Sequence, residues 1–205
     1  MIASLLASGK YSGDDLCNKI ATNKNMARIF SKRQNVLKNR LLLNPKYFND
    51  PLIELCHEFL GDIKMFDLPN SLMIVTYNLR ERKPTFWTNY IKSYNPKVAD
   101  VILASAAAPT FFPAYRIFFG REKIGEELGF EEGDEINDMI SKPFSGDGYI
   151  DGGVVCNSPS TIAIAFQNKI KNKHKILCVG TGPDRNPIKF EKAQNAGGFW
   201  WLLKG

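Results

Sequence analysis

The stretch Tyr149-Ile150-Asp151-Gly152-Gly153-Val154 combines a short apolar run, a carboxylate and two consecutive glycines. The apolar run predicts a strand, and the paired glycines predict a sharp turn, because glycine adopts a positive φ without steric cost. Asp151 would therefore lie at the end of a strand, on backbone that cannot drift. That position suits a catalytic carboxylate, which must stay within hydrogen-bond reach of its partner. Taken alone, however, the triplet Asp-Gly-Gly is also the composition of an ordinary turn.

Helix signals come early in the chain. Ser12-Gly13-Asp14-Asp15 has the pattern of a capping box and predicts a helix start at Ser12. Asp50, followed by Pro51, predicts the start of a second helix that ends before Gly61. His57 falls beside the apolar stripe of this helix, where a structural or solvated role is expected. The stripe itself should face the core and consists of Leu52, Leu55, Cys56, Phe59 and Leu60.

Helix and strand patterns then alternate. Residues 71–77 predict a buried strand, 85–87 a returning strand and 175–179 the last strand, while helices are predicted over 97–108 and from Pro159 onward. Alternation of this kind favours an α/β fold with a mainly parallel central sheet.

Composition limits the function classes. The 205 residues are 44% hydrophobic and 23% charged, with a formal net charge of +6, which is typical of a soluble globular domain. The basic run 169–175 is interpreted as a solvated face, and weak attraction to anionic lipid is the alternative. No aromatic-basic interleaving accompanies the charge, so we expect no nucleic-acid partner. Phe199-Trp200-Trp201-Leu202-Leu203 predicts helix packing, with contact at a membrane boundary as the alternative.

Cysteine and histidine usage indicates no metal site. The four cysteines lie far apart without a CxxC pair, and the two histidines are separated, so we expect neither a disulfide frame nor a metal or other cofactor. No apolar run is long enough to cross a membrane, and residues 1–7 make a poor signal peptide. These features predict a cytoplasmic protein or one peripheral to a membrane.

Several blocks in a fixed order resemble the patatin-like lipid acyl hydrolases. The resemblance runs from Ile2 to about Gly182, and in that family Asp-Gly-Gly supplies the base of a Ser–Asp dyad. The blocks are Asn44–Phe48, Ile74–Leu79, Arg82–Phe86, Ala104–Pro113, Asp151–Pro159 and Val179–Gly182. The resemblance implies a three-layer α/β fold and hydrolysis of acyl esters in phospholipids or other acyl lipids.

The resemblance also implies roles for individual residues. Asp151 would be the catalytic base, in the motif Asp151-Gly152-Gly153. Asn157 and Pro159 would shape the turn near Asp151. Pro109, Thr110 and Phe111 would line part of an acyl channel.

The nucleophile of that family is missing from the sequence. No Gly-x-Ser-x-Gly occurs in the 205 residues, and neither does the family's Gly-rich oxyanion loop. The stretch Met1–Gly9 resembles the helix that follows the nucleophile. We therefore expect a single domain over 1–205 that lacks its first strand, its oxyanion loop and its serine, and that is truncated at the C-terminus as well.

Other serines make poor substitutes, because none lies on a predicted strand-to-helix elbow. Ser12 is better explained as a helix cap and Ser105 as a packed helix residue, while Ser145 and Ser158 only flank Asp151 in sequence. Two readings remain. The chain is most of a serine lipid hydrolase whose serine lies outside it, or it is a non-catalytic fragment or subunit that binds lipid or a separate N-terminal polypeptide.

Overall fold

The computed structural model describes residues 1–31, 44–90, 94–119 and 145–170, together with Gln194. The helices are α1 (Ile2–Ala7), α2 (Gly13–Asp15), α3 (Asn23–Ile29), α4 (Asp50–Leu60), α5 (Val98–Ser105) and α6 (Ser160–Ile170). Shorter turns are a π-helix (Leu16–Ile20) and two 3-10 helices (Met65–Asp67 and Gly152–Val154). The strands are β1 (Met73–Asn78), β2 (Lys83–Thr88), β3 (Tyr115–Arg116) and β4 (Gly148–Asp151).

The predicted capping box begins α2. The Ser12 hydroxyl accepts a hydrogen bond from the Asp15 N–H at 3.2 Å, and the Asp15 carboxylate accepts one from the Ser12 N–H at 3.0 Å. Both orphan N–H groups are thereby satisfied. The helical chain continues through Leu16 and Ile20, which are buried in the core as their spacing predicts.

The second predicted helix, α4, is also present, but its start is displaced by one residue. Asn49 occupies the cap position and Asp50 is already helical, with proline in the first turn. Gly61 ends the helix with φ +59, a conformation that favours glycine. His57 is exposed, as expected, and the buried positions are Leu52, Leu55, Cys56 and Leu60.

The α/β class is confirmed, but the expected parallel pairing is wrong for the strands that the structure describes. Their order is β2-β1-β4-β3, and all three neighbouring pairs are antiparallel. β1 and β2 form a hairpin joined by residues 79–82, and so short a connection permits only antiparallel pairing. The predicted strand 175–179 and the aromatic cluster 199–203 lie outside the described residues.

The core lies between this sheet and the helices. α5 packs against both α4 and β1, and it ends at Ser105, earlier than the predicted Ala108. Pro109 disfavours helical conformation at Ala108, because the residue before a proline is restricted toward extended backbone. The buried residues of α5 are Val98, Ala99, Val101, Ile102, Leu103 and Ala104.

A buried carboxylate ties the hairpin turn to the start of β4. Asp147 accepts hydrogen bonds from the Asn78 side-chain amide at 2.9 Å and from Arg80 Nε at 2.7 Å. The Asn78 side-chain oxygen in turn accepts from the backbone N–H groups of Arg80 and Glu81. Asn78 is fully buried, so its amide depends on these partners for hydrogen bonding.

Substitution of Asp147 by alanine should destabilise the fold by about 1–3 kcal/mol, because it leaves the buried amide of Asn78 without its acceptor. Urea denaturation measures the loss. The matched control is Asp62→Ala, which removes an exposed carboxylate paired with Lys97 and should change stability little. Equal losses in the two variants would contradict the structural role given to Asp147.

Candidate functional site

Asp151 is fixed at the end of β4 from two sides. It pairs in register with Thr76 of β1. Its own backbone N–H donates to the carbonyl of Ala107 at 3.1 Å, in the segment that follows α5. The alanine-rich stretch and the Asp-Gly-Gly motif, 44 residues apart in sequence, therefore meet directly at Asp151.

The carboxylate of Asp151 is half-buried and held by its own turn. Its Oδ1 accepts a hydrogen bond from the Gly153 N–H at 2.7 Å. Burial raises the pKa of the Asp151 carboxyl above its ordinary value, while the bond from Gly153 acts in the opposite direction. The carboxyl is thus both oriented and made more basic than a surface aspartate.

Gly152 is needed for close approach, and neither glycine of the motif has a positive φ. The glycines with positive φ in the described part of the chain are Gly9, Gly61 and Gly146. At Gly152 a Cβ would stand 2.3 Å from the carbonyl oxygen of Val75, which no real side chain tolerates. The expectation of a left-handed turn at the motif is therefore corrected: the missing side chain lets β4 lie against β1.

Gly153 brings two polar side chains together. A Cβ there would lie 3.2 Å from Asp151 Oδ1 and 3.2 Å from Asn157 Oδ1. Both oxygens flank the same face of the Gly153 backbone, so Asn157 is a neighbour of the carboxylate.

A cavity of about 280 Å³ lies beside Asp151. Its walls come from the first turn of α1, from β1, from the end of α5 and from the loop after β4. The lining residues are Met1, Ala3, Ser4, Met73, Ile74, Val75, Ile102, Ser105, Ala106, Asp151, Gly152, Gly153, Cys156, Asn157 and Pro159.

Five of the predicted site residues meet at this cavity: Asp151, Gly152, Gly153, Asn157 and Pro159. The other three lie elsewhere among the described residues, in the segment after α5. Pro109 and Thr110 are exposed, and Phe111 stacks on the ring of Tyr47 with centroids 6.4 Å apart. Their place in an acyl channel stays a prediction.

Sequence reasoning missed several cavity residues. Ser105 lines the cavity although it was interpreted as a packed helix residue, and neither Ser4 nor Cys156 was predicted as a site residue. Ile102 and Ser105 share one face of α5, as helical periodicity predicts, but periodicity does not indicate that this face lines a cavity. No local signal marks Ser4, because its position depends on how α1 packs against the sheet.

Two features are absent from the residues that the structure describes. No group of three or more His, Cys, Asp and Glu side chains there could hold a metal ion. No described helix is long and apolar enough to cross a membrane.

The model of the patatin-like phospholipase family matches residues 1–164. The chain belongs to the patatin-like phospholipase family. The matched range contains Asp151 and every residue that lines the cavity.

Curated relatives agree with this assignment. The chain is 27% identical over 186 residues to Patatin-like protein 3 and 28% identical over 193 residues to Patatin-like protein 2, both of Arabidopsis thaliana. These alignments cover 80% and 85% of the chain, but 39% and 42% of the relatives. A third relative, "Probable inactive patatin-3-Kuras 1" of Solanum tuberosum, is 22% identical over 80% of the chain and 43% of its own length. The chain therefore spans about two fifths of the length of these three relatives.

In this patatin-like chain, alanine at Gly152 should destabilise the fold by more than about 2 kcal/mol, because the new Cβ would overlap the Val75 carbonyl and the backbone must shift. Thermal unfolding measures the loss. Gly13→Ala is the control, since a Cβ there meets nothing within 4 Å. A Gly152→Ala variant as stable as the control would show that β1 and β4 do not need this close approach.

A pH profile of stability tests the burial of Asp151. Because its pKa is raised in the folded state, its contribution to stability is present below the unfolded pKa and is lost as pH rises through the folded pKa. Asp151→Asn should therefore become progressively more favourable, relative to the parent chain, from about pH 3 to about pH 7.

Asp15→Asn provides a control of opposite sign. The hydrogen bond from Lys19 lowers the pKa of Asp15, so its contribution is present at neutral pH and is lost as pH falls. The cost of this substitution should grow from about pH 3 to about pH 7, which unfolding curves at each pH measure directly. Parallel profiles for the two variants would contradict a raised pKa at Asp151.

Proposed function

We propose that this chain is the larger part of a lipid acyl hydrolase domain in which Asp151 is the general base of a Ser–Asp dyad, with the serine outside these 205 residues. Phospholipids and other acyl lipids are the substrates. The observation that carries the proposal is the position of Asp151: a half-buried carboxylate at a strand end, oriented by the Gly153 N–H and lining a cavity. Membership in the patatin-like phospholipase family supports the reaction class.

The proposed reaction has two steps. The serine hydroxyl attacks the ester carbonyl and passes its proton to Asp151, and the alcohol of the lipid leaves with that proton as the acyl-enzyme forms. Water then attacks the acyl-enzyme, giving its proton to Asp151, and the fatty acid is released as the serine regains a proton. Because Gly153 holds Oδ1, the second carboxylate oxygen is the one that accepts and returns the proton.

The location of α1 supports a serine just before it. Met1, Ala3 and Ser4, at the start of this helix, line the same cavity as Asp151. A nucleophile on a strand-to-helix elbow would precede such a helix by a few residues. A serine preceding α1 would therefore face Asp151 across the cavity.

Asn157 and Pro159 are proposed to shape the mouth of the site, since both line the cavity within eight residues of Asp151. For the complete domain we propose that Pro109, Thr110 and Phe111 extend an acyl channel. Peripheral contact with a lipid surface would follow from an acyl-lipid substrate.

The test compares ester hydrolysis by the 205-residue chain with that by the same chain extended through its in-frame upstream segment. A 4-nitrophenyl ester of butanoic acid is the probe. We expect turnover only in the extended protein, and Asp151→Ala should lower it by about 10²–10⁴-fold, the range typical of a general base. The matched control is Asp14→Ala, which removes an exposed carboxylate and should leave the rate unchanged.

Three results would contradict the proposal. Turnover by the 205-residue chain alone would mean that the serine lies within it. Retained turnover in Asp151→Ala would remove the base from the mechanism. An upstream frame with a stop codon would leave the chain without its nucleophile.

A second candidate function is a non-catalytic subunit that binds lipid or a separate N-terminal polypeptide. The observation that favours it is that no Gly-x-Ser-x-Gly occurs in the 205 residues. A subunit of this kind should melt cooperatively as the 205-residue chain and should hydrolyse no ester even when its in-frame upstream segment is added. Calorimetry of the 205-residue chain, together with the ester assay on the extended chain, distinguishes the two.

A further inference from the structure

An aromatic cluster reaches the surface in the chain between α3 and α4. The Phe30 ring is 48% exposed, yet it meets Tyr47 edge-on with centroids 5.3 Å apart and Phe112 at 6.3 Å. Tyr47 also stacks on the half-buried ring of Phe111 at 6.4 Å. Tyr47 and Phe112 are each 9% exposed and form the base of this cluster. We call Phe30, Tyr47, Phe111 and Phe112 the aromatic patch, and its exposed rings are apolar area that favours a partner.

A lysine lies directly over the aromatic patch. The Nζ atom of Lys46 is 5.2 Å from the centroid of the Tyr47 ring and 5.5 Å from that of Phe111. Lys46 is exposed, so its ammonium group stays in water while its alkyl stem covers the rings. Aromatic rings with a lysine beside them are typical of surfaces that lie in the interface of a lipid bilayer.

Positive charge is concentrated in the sequence that joins the two halves of the patch. Residues 31–46 contain five basic residues and no Asp or Glu, a formal charge of +5 against +6 for the whole chain. Of the acidic residues that follow, Glu54 and Glu58 pair with Arg28 at 3.2 and 3.6 Å. Asp50 lies in the first turn of α4, where the helix dipole offsets its charge. The potential around the patch is therefore positive and suits an anionic surface. The five basic residues are Lys32, Arg33, Lys38, Arg40 and Lys46.

Backbone hydrogen bonds connect the patch to the candidate site. The Tyr47 N–H donates to the carbonyl of Phe111 at 2.8 Å, and the Phe111 N–H donates to that of Ala108 at 3.0 Å. Ala107, the residue before, accepts from the N–H of Asp151. Phe111 lies four positions beyond Ala107, which a chain can span with at most about 14 Å. A surface bound at the patch would therefore lie near Asp151.

We propose that the aromatic patch, together with Lys46, is a docking surface for a membrane that contains anionic phospholipid. The exposed rings enter the interfacial region of the bilayer, and the Lys46 ammonium pairs with a headgroup phosphate or carboxylate. A second copy of the chain fits the charge poorly, because a two-fold interface would bring two segments of like charge together. The choice of lipid over an acidic protein rests on the proposed function.

The experiment measures co-sedimentation of the 205-residue chain with vesicles, since docking needs no nucleophile. One set of vesicles is phosphatidylcholine alone, and the other contains about 25 mol% phosphatidylserine, which makes the surface negative. We expect much stronger binding to the anionic vesicles. Raising the salt from about 0.1 M to about 0.5 M should weaken that binding, because the Debye length shortens.

Reversal of the charge at the patch tests the local contact. Lys46→Glu should weaken binding by at least about fivefold, the factor that one basic residue contributes near an anionic leaflet. The matched control is Lys10→Glu, which makes the same change in net charge at an exposed position. Lys10 precedes Tyr11, whose hydroxyl donates to Phe59 at the far end of α4, about 16 Å along that helix from the patch. The control should therefore have the smaller effect.

Removal of the exposed ring tests the apolar contact. Phe30→Ser should weaken binding about three- to tenfold, the gain expected from burying half of a phenylalanine side chain. The matched control is Phe118→Ser, since the Phe118 ring is 66% exposed and lies over Gly146. Thermal melting checks that both variants fold. If Phe30→Ser does not fold, Lys46→Glu keeps the test decisive, because it removes no buried side chain.

The outcomes separate this inference from the proposed function. Salt-sensitive binding that falls more in Lys46→Glu and Phe30→Ser than in their controls supports the docking surface. Absence of binding, equal binding to both kinds of vesicle, or equal effects of patch and control variants overturns it. Self-association that Phe30→Ser abolishes, without vesicle binding, would make the patch an interface between copies and overturns it as well. The ester assay uses a soluble substrate, so its failure with intact docking would remove the dyad and leave the docking surface standing.

Discussion

The close contact between the Gly152 backbone and the carbonyl oxygen of Val75 is the constraint on which the site depends. A side chain at this point would overlap β1, so β4 can lie against it only because residue 152 has none. Asp151 precedes this contact, pairs with Thr76 of β1, and is anchored on its other side by the carbonyl of Ala107. Residues 151 and 152 thus contact β1, the segment after α5 and their own turn. These contacts leave the Asp151 carboxylate little freedom to move.

Buried aromatic residues stabilise the strands around Asp151. Thr76, the cross-strand partner of Asp151, is fully buried and accepts a hydrogen bond from the Trp87 indole at 2.9 Å. The Trp87 ring meets Tyr149 of β4 edge-on, with centroids 5.5 Å apart. Trp87 of β2 therefore contacts both β1, through Thr76, and β4, through Tyr149. Rigid scaffolding of this kind suits the general-base role proposed for Asp151, since loss of hydrogen-bond reach would remove its effect.

The sequence was most informative where short-range chemistry decides the structure. The capping box at Ser12, the end of α4 at Gly61 and the hairpin of β1 and β2 depend on neighbours in the chain, and they were predicted correctly. The antiparallel pairing of the strands was not predicted, because an alternation of helices and strands is compatible with either pairing. The pairing is decided only when the long-range partner of β1 is known. That partner, β4, lies more than 70 residues further along the chain.

The candidate site was likewise predicted only in part. Asp151, Gly152, Gly153, Asn157 and Pro159 are close in sequence and were found together, whereas the far wall could not be predicted. Its residues come from α1 and α5, and their meeting depends on packing rather than on a motif. Even the glycines were identified for a different reason from the one the structure gives, since close approach to Val75 is visible only once β1 is in place.

The cavity wall formed by α1 and α5 is made of elements that also build the core. α5 contributes buried residues along its length to the core, and its last turn contributes Ser105 to the cavity, with Ala106 just beyond it. α1 does the same, since Leu5 is fully buried in the core while Ser4, the residue before it, lines the cavity. Substitutions that change the cavity therefore act on elements that also hold the core together. The loop after β4 has no such double role: Asn157 is exposed at the mouth, so the site can vary there at little cost to the fold.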